Sequence, residues 1–112
     1  MILICLPMYN EGNSIGALFD SIRISLKGKK YSVLVCDDGS SDNSTTVVKE
    51  MQKKMPIKLL QHEVNQGYSQ TMRDLMVTAA KITKENDIIV TMDADNTHNP
   101  KYIFDAIKLM PK

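Results

Sequence analysis

The sequence lacks most of the features that mark membrane, secreted and disulfide-stabilised proteins. It has two cysteines and no tryptophan, and only 5% of its residues are aromatic. Its apolar runs are much shorter than the ~20 residues that a membrane-spanning helix needs. No basic segment precedes the first apolar run, as it would in a secretory signal peptide. We therefore expect a cytoplasmic protein with reduced thiols, because disulfides are rare in that compartment.

The chain also has little net charge, and its basic residues are scattered. The formal net charge is +1, from 14 basic and 13 acidic residues. Two short basic clusters, at residues 27–30 and 53–54, fall where helices are predicted to end, and cations are favourable there. A nucleic-acid-binding surface normally requires a clustered basic face. The sequence therefore predicts no nucleic-acid partner.

Three glycine-containing catalytic or phosphate-binding motifs are absent. The sequence has no Gly-x-x-x-x-Gly-Lys-Ser/Thr phosphate loop and no Gly-x-Gly-x-x-Gly dinucleotide turn. It also has no Gly-x-Ser-x-Gly nucleophile elbow. The charge of a bound diphosphate would then have to be neutralised by a metal ion rather than by a glycine-rich backbone cradle.

The order of the apolar patterns predicts an alternating α/β fold. Continuous apolar runs, typical of parallel strands that are buried on both faces, alternate with segments of helical spacing. Strands are predicted at residues 2–6, 33–36, 57–60 and 87–92, and a helix follows each of them. This order predicts one domain over residues 1–112, with a mostly parallel sheet, helices on both faces and right-handed crossovers.

Helix boundaries are predicted from capping residues. Asn13 or Ser14 is a candidate N-cap of the first helix, and Asp42 or Ser44 of the second. The third helix is predicted at about residues 69–84, and Pro100 can start a fourth.

Four loops are predicted at the carboxyl ends of the strands, where ligands bind in parallel α/β sheets. They span residues 7–12, 37–41, 63–68 and 93–99. In the first loop, Tyr9 offers a flat face to a planar base, and Glu11 can accept from hydroxyl groups. A tyrosine in such a loop is more often explained by ordinary packing, and Glu11 also fits the first turn of a helix.

An acidic pair, Asp37 and Asp38, follows the second predicted strand. Burial of two carboxylates is costly, so we expect one to cap the turn while the other faces a donor on a ligand. Gly39 would allow the tight turn. A simple turn stabilised by an aspartate side chain is the alternative.

The most informative motif is Asp-Ala-Asp at residues 93–95. Because alternate side chains of a strand share one side, Asp93 and Asp95 can converge on one hard cation. Mg²⁺ or Mn²⁺ bound by carboxylates together with substrate phosphates is the usual arrangement. Two capping aspartates are the alternative. His98 is a further candidate ligand and Arg73 a candidate diphosphate contact, although both also suit a solvent-exposed position.

Taken in order, four short motifs resemble those of the family 2 glycosyltransferases with the GT-A fold. They lie at residues 6–11, 37–42, 65–68 and 93–95. The resemblance is closest to the dolichol-phosphate mannose synthases and polyprenyl-phosphate glycosyltransferases. It covers essentially the whole chain, but only the nucleotide-binding half of such an enzyme. It implies a Rossmann-like domain that is truncated before the acceptor-binding half.

The resemblance implies nucleoside contacts in the first two loops. Pro7 and Tyr9 would line the nucleobase pocket, with Glu11 near the nucleoside. Asp38 would accept a hydrogen bond from a ring N–H of the base, with Asp37 beside it.

It implies diphosphate and metal contacts in the last two loops. Gly67 and Arg73 would lie near the base or the diphosphate. Asp93, Ala94 and Asp95 would form the DxD motif, whose carboxylates contact the ribose and a diphosphate-bound Mg²⁺ or Mn²⁺. The metal would stabilise the leaving nucleoside diphosphate as a Lewis acid.

Two residues depart from the family pattern. Leu75 stands where many relatives have glycine, which puts the packing after the third loop in doubt. Thr97 stands where the mannose synthases tend to have glutamine, which puts a third protein ligand in doubt. No residue is identified as a catalytic base.

The sequence therefore predicts the donor-binding part of a glycosyltransferase (EC 2.4) that uses a UDP- or GDP-sugar. The resemblance implies a polyprenyl phosphate as a candidate acceptor, and so a full-length protein at the cytoplasmic face of a membrane. Transfer by these residues alone is not expected, because they contain no visible acceptor site. Two alternatives stay open: a receiver-like, Mg²⁺-dependent signalling module and a non-catalytic nucleotide-binding fragment.

Overall fold

The computed structural model describes residues 1–94. Four strands alternate with three helices in this part of the chain, which confirms the predicted order. The elements are β1 (Ile2–Met8), α1 (Ile15–Ser25), β2 (Tyr31–Asp37), α2 (Ser44–Met51), β3 (Ile57–Gln61), α3 (Tyr68–Ile82) and β4 (Ile88–Thr91). Within residues 1–94, every helix is too short or too polar to cross a membrane. The predicted fourth helix lies outside the described residues.

The four strands form one parallel sheet in the order β3-β2-β1-β4. β1 is central: Ile2 pairs with Tyr31 of β2 on one side and with Ile88 of β4 on the other. The chain moves outward from β1 to β3 and then returns to the far side of β1. The strand order therefore reverses between β1 and β4, and ligand crevices form at such a reversal in open α/β sheets.

Two hydrophobic layers cover the two faces of the sheet. Ile4 and Leu6 of β1 pack in the layer formed with α1 and α2. Leu3 and Cys5 point to the opposite face, where they pack with Leu75 of α3. The alternation follows from the two-residue period of a strand. It confirms the prediction of helices on both faces.

Both cysteines belong to the second of these layers. Cys5 and Cys36 are free thiols with no exposed surface. Burial raises the pKa of each to about 11. Since the thiolate is the reactive form, neither side chain is a nucleophile at neutral pH.

The predicted N-caps were only partly right. Ser14 is the N-cap residue of α1, but its side chain does not cap the helix. Its Oγ lies instead 2.9 Å from Oε2 of Glu11 and 3.1 Å from the carbonyl oxygen of Ala94. Asp42 precedes the N-cap of α2 and accepts from the N–H of Ser44 at 2.9 Å. A local sequence pattern assigns these side chains to helix caps, but in the structure contacts between loops engage them instead.

Replacement of Leu75 by Ala tests the layer between α3 and the sheet. Leu75 is fully buried, so Leu75→Ala should lower the free energy of unfolding by about 2–5 kcal/mol. Val77→Ala is the matched control, because Val77 lies on the same helix and is 48% exposed. It should change the stability by less than about 0.5 kcal/mol. Equal losses in urea titrations of the two variants would contradict this arrangement.

Candidate functional site

A cleft of about 320 Å³ opens at the carboxyl edge of the sheet, where the strand order reverses between β1 and β4. Side chains from the loops after all four strands line it. Seven of the ten predicted site residues are among them: Pro7, Tyr9, Glu11, Asp38, Gly67, Asp93 and Ala94. The structure therefore brings most of the predicted residues to one place.

Three predicted site residues do not belong to the described cleft. Asp37 is buried and does not line it. Arg73 is exposed on α3, also outside the lining, so its position gives no support to a diphosphate contact. Asp95 lies outside the described residues, as do Thr97 and His98.

Four lining residues were not predicted from the sequence: Met8, Asn65, Tyr68 and Thr71. Met8 belongs to β1, which continues two residues further than its apolar run indicated. Asn65 and Tyr68 lie in or beside the predicted third loop, so its position was the available signal. The hydroxyl of Thr71 donates to the carbonyl of Gly67 at 2.9 Å, one helical turn earlier. Helical spacing from Gly67 would have identified it.

Asp37 holds the turn between β2 and α2. Its Oδ1 accepts from the N–H of Ser40 at 3.0 Å, and its Oδ2 accepts from the hydroxyl of Thr45 at 2.6 Å. This is the turn-capping role that was expected of one member of the acidic pair. The carboxylate is therefore engaged with the protein itself.

Asp38 lines the cleft and fixes the loop after β3. Its Oδ1 accepts from the N–H of Gln66 at 2.8 Å, and its Oδ2 accepts from the N–H of Gly67 at 3.0 Å. Nδ1 of His62 lies 2.9 Å from the same Oδ1. Burial raises the pKa of Asp38, but these hydrogen bonds outweigh it and lower the pKa below its ordinary value. Asp38 is therefore ionised at neutral pH.

His62 bridges Asp38 to α3. Its Nδ1 faces Asp38, and its Nε2 lies 2.6 Å from Oδ2 of Asp74. Only the imidazolium form can donate from both nitrogens. The hydrogen bond with Asp38, helped by that with Asp74, raises the pKa of His62 against the opposite effect of burial. No motif of the sequence singled out His62.

Asn10 joins the loop after β1 to the loop after β2. It is the one non-glycine residue within residues 1–94 with a positive φ, 51°, a conformation that asparagine tolerates. Its N–H donates to Oγ of Ser40 at 2.9 Å, and its Oδ1 accepts from the N–H of Ser41 at 2.8 Å. These bonds fix the backbone between Tyr9 and Glu11, both of which line the cleft.

The described donor set for a metal is small. Residues 1–94 contain no group of three His, Cys, Asp or Glu side chains placed to hold an ion. Asp93 is half-buried and lines the cleft directly after β4. One or two carboxylates are enough for Mg²⁺ when phosphate oxygens of a ligand complete its coordination. The residues present fit a metal that is bound together with a phosphorylated ligand.

Comparison with known proteins identifies the family. The family model described as "Glycosyl transferase family 2" matches residues 3–112. The chain belongs to glycosyl transferase family 2. This confirms the resemblance on which the sequence interpretation was based.

Curated relatives of this family 2 chain are transferases. It is 32% identical over 108 residues to the dolichol-phosphate mannosyltransferase of Pyrococcus furiosus. It is 29% identical over 105 residues to the undecaprenyl-phosphate 4-deoxy-4-formamido-L-arabinose transferase of Aeromonas hydrophila. These matches cover 94% and 92% of this chain, but only 29% and 31% of the relatives. The chain thus spans under a third of the length of either relative.

Solved structures share the fold of the family 2 chain. S. aureus TarS in complex with UDP has a TM-score of 0.77 at 24% identity, over 96% of this chain and 31% of that one. The mannosyltransferase PcManGT from Pyrobaculum calidifontis, in complex with GDP-Man and Mn²⁺, has a TM-score of 0.77 at 20% identity. That match covers 99% of this chain and 32% of the other. The predicted GT-A fold class is confirmed.

The receiver-like alternative is wrong. Receiver domains have the flavodoxin-like strand order 2-1-3-4-5, in which the third strand pairs with the first. In this family 2 chain β3 pairs with β2, and β4 takes the place beside β1. Acidic strand ends alone do not distinguish the two folds, because both have a parallel sheet with an open carboxyl edge.

Gly39 tests the contact between the second and third loops. Its φ is +75°, and a Cβ there would lie 2.7 Å from both the N of Asn65 and the carbonyl carbon of Val64. Gly28 has a similar φ, +81°, with nothing within 4 Å of a Cβ. Gly28→Ala should lower the free energy of unfolding by about 1 kcal/mol, because alanine disfavours this backbone conformation. Gly39→Ala should lower it by about 1–3 kcal/mol more, because the backbone of the third loop must also move.

Chemical denaturation measures both losses of stability. The amide NMR signals of Gln66 and Gly67 should shift in Gly39→Ala and stay in place in Gly28→Ala. Equal losses for the two variants, with unmoved amide signals, would show that the loops do not pack as described.

The bridge from Asp38 through His62 to Asp74 predicts a pH dependence of stability. The folded state raises the pKa of His62. The contribution of His62 to the free energy of unfolding is therefore complete below about pH 6.5 and is lost as the pH rises through the folded-state pKa. The folded state lowers the pKa of Asp38, so its contribution is present above about pH 4 and is lost as the pH falls through its folded-state pKa. Cys36, whose Sγ lies 3.7 Å from Nε2, stays neutral throughout.

The comparison of wild type with His62→Gln isolates this effect, because every other titrating group is common to both. The difference in free energy of unfolding should be largest at about pH 5–6.5 and should shrink toward pH 9. A constant difference over that range would show that His62 does not carry a proton between the two carboxylates.

Proposed function

We propose that residues 1–112 form the donor-binding domain of a glycosyltransferase that uses a nucleotide-diphospho-sugar. The observation that carries this proposal is the cleft at the reversal of strand order, in a chain of glycosyl transferase family 2. The cleft joins a flat aromatic ring, an ionised buried carboxylate and a carboxylate that can hold a metal. These are the groups that a base, its ring N–H and a diphosphate require.

The nucleoside occupies the part of the cleft between the first and third loops in this proposal. Pro7 and Tyr9 offer apolar and aromatic surface to the base, and Tyr9 is 47% exposed, so its face is accessible. Asp38 accepts from a ring N–H. Gly67 has a φ of 96° and no atom within 4 Å of the position that a Cβ would take. The space beside its backbone therefore leaves room for close approach of the ligand. Glu11 also lines the cleft and would accept from ribose hydroxyls.

The diphosphate and its metal belong to the fourth loop. Asp93 lines the cleft, and Asp95 would complete the pair that holds Mg²⁺ or Mn²⁺. The structure of PcManGT with GDP-Man and Mn²⁺ supports this choice of ion. When bound, the metal supplies Lewis acidity at the diphosphate. Asp93 and its loop orient the diphosphate, while the base is held some distance away by Asp38.

Binding of the acceptor is proposed for the complete protein rather than for residues 1–112 alone. Both curated relatives are named as transferases of dolichol-phosphate or undecaprenyl-phosphate substrates. We therefore propose a polyprenyl phosphate as the acceptor, which brings the whole protein to a membrane surface. The chain spans 29–31% of these relatives, so transfer is a property proposed for the complete enzyme.

The metal assignment is tested by calorimetry of UDP and GDP binding with and without Mn²⁺. Asp93→Asn and Asp95→Asn should each weaken binding in Mn²⁺ about tenfold or more, because a charge-assisted ligand of the ion is lost. Without Mn²⁺ these variants should resemble the wild type. Asp20→Asn, on the exposed face of α1, is the matched control and should bind normally. Equal affinity of the DxD variants and the wild type in Mn²⁺ would refute the metal site.

A further inference from the structure

The hydroxyl of Ser14 lies between the first and the fourth loop of the cleft. Its Oγ is 2.9 Å from Oε2 of Glu11 and 3.1 Å from the carbonyl oxygen of Ala94. Glu11 and Ala94 both line the cleft, whereas Ser14 does not. Ala94 separates the two aspartates of the DxD motif in the sequence. A contact with its carbonyl therefore acts on the loop that is proposed to hold the metal.

A serine hydroxyl has one proton, so Ser14 can donate to only one of these oxygens at a time. The backbone carbonyl of Glu11 is a third acceptor, but it lies farther away, at 3.4 Å. That carbonyl already accepts from the N–H groups of Ser14 and Ile15, at 3.0 and 2.8 Å. The contact with Oε2 is the shortest of the three and involves a carboxylate, so it takes the proton while no ligand is bound. The carbonyl of Ala94 then lacks this hydrogen bond.

The backbone on the first-loop side of this contact is held firmly. The N–H of Glu11 donates to Oγ of Ser44 at 2.8 Å, and the N–H of Gly12 donates to Oδ2 of Asp42 at 3.0 Å. These bonds join the first loop to the start of α2. Ser14 therefore presents its hydroxyl from a fixed backbone, and the fourth loop is the part that its proton can hold or release.

We propose that Ser14 is a positioning residue that couples nucleoside binding to the metal-binding loop. When ligand hydroxyls donate to Glu11, its carboxylate holds the proton of Ser14 less strongly, and the proton turns to the carbonyl of Ala94. The new hydrogen bond fixes the loop that carries Asp93 and Asp95. The inference rests on the proposed donor site and goes beyond it by naming the residue that links the two ends of that site.

The first test follows the carbonyl-carbon NMR signal of Ala94, which moves downfield when the oxygen accepts a hydrogen bond. Without any ligand, Glu11→Met removes the competing carboxylate and should move this signal downfield from its wild-type position. Addition of Ser14→Ala to Glu11→Met should abolish that shift, because the donor is then gone. An identical signal in the wild type and in Glu11→Met would overturn the shared proton.

The second test compares binding of UDP and of GDP by calorimetry, with and without Mn²⁺. Ser14→Ala, checked for folding by circular dichroism, should weaken binding in Mn²⁺ about fivefold, the effect of one lost hydrogen bond. Without Mn²⁺ the loss should be much smaller, because the fourth loop then holds no ion. Ser14→Thr keeps a hydroxyl and should restore most of the affinity.

Ser32→Ala is the matched control for the calorimetry. Oγ of Ser32 lies 3.5 Å from the carbonyl oxygen of Pro56, at the start of β2 and outside the cleft lining. This variant should bind like the wild type. An equal loss of affinity with and without Mn²⁺ in a folded Ser14→Ala would show a purely structural role and overturn the coupling.

The two proposals fail in different ways. Wild-type affinity of Ser14→Ala in Mn²⁺, with the DxD variants still defective, removes the coupling and leaves the donor site in place. Absence of binding of both nucleotides to the wild-type chain, with and without Mn²⁺, overturns the donor site and the inference with it.

Discussion

The buried carboxylate of Asp38 is the contact on which the cleft depends. It lies directly after β2, yet its partners are the backbone N–H groups of Gln66 and Gly67 and the ring of His62, all of which follow β3. The loop after β3 has no strand partner of its own at this point. The ionised carboxylate of Asp38 accepts from two N–H groups of this loop, and these charge-assisted hydrogen bonds hold the loop against the end of the sheet. Gly39 completes the contact by allowing that loop to approach within a distance that no Cβ tolerates.

The same carboxylate connects structure with recognition. Charge-assisted hydrogen bonds keep Asp38 ionised where burial alone would favour the neutral form. An ionised, preorganised acceptor at the carboxyl edge of a parallel sheet suits a ring N–H of a base, while Asp93 lies in the same cleft for the phosphate end of the ligand. The reversal of strand order between β1 and β4 is what places these two carboxylates in one cleft, since it leaves a crevice that no crossover covers. In the proposed donor site, base recognition and diphosphate binding are thereby separated along one ligand.

Strands, helices and the position of the cleft were predictable because they depend on local patterns. Continuous apolar runs identified β1 and β2, since both their faces are buried, and the carboxyl-edge rule then placed the loops. The order of the strands was not predicted, because pairing of β3 with β2 or with β1 involves the same apolar residues. Family motifs identified Pro7 and Tyr9 as cleft residues, as the structure places them. Asp95 lies outside the described residues, and its role as a metal ligand stays a prediction.

By itself, the sequence determined the alternating α/β fold, the family and the loops that form the site. Those properties follow from the spacing of apolar residues and from short motifs that each lie in one segment. Only the tertiary structure decided the role of each aspartate. Asp37 accepts a hydrogen bond within its own turn, whereas Asp38 accepts from N–H groups that lie 28 and 29 residues later in the chain. It also revealed His62, which looks like an ordinary strand end until α3 brings Asp74 to its far side. Hydrogen-bond partners distant in the chain leave no local pattern, so these roles appear only when the sheet edge is assembled.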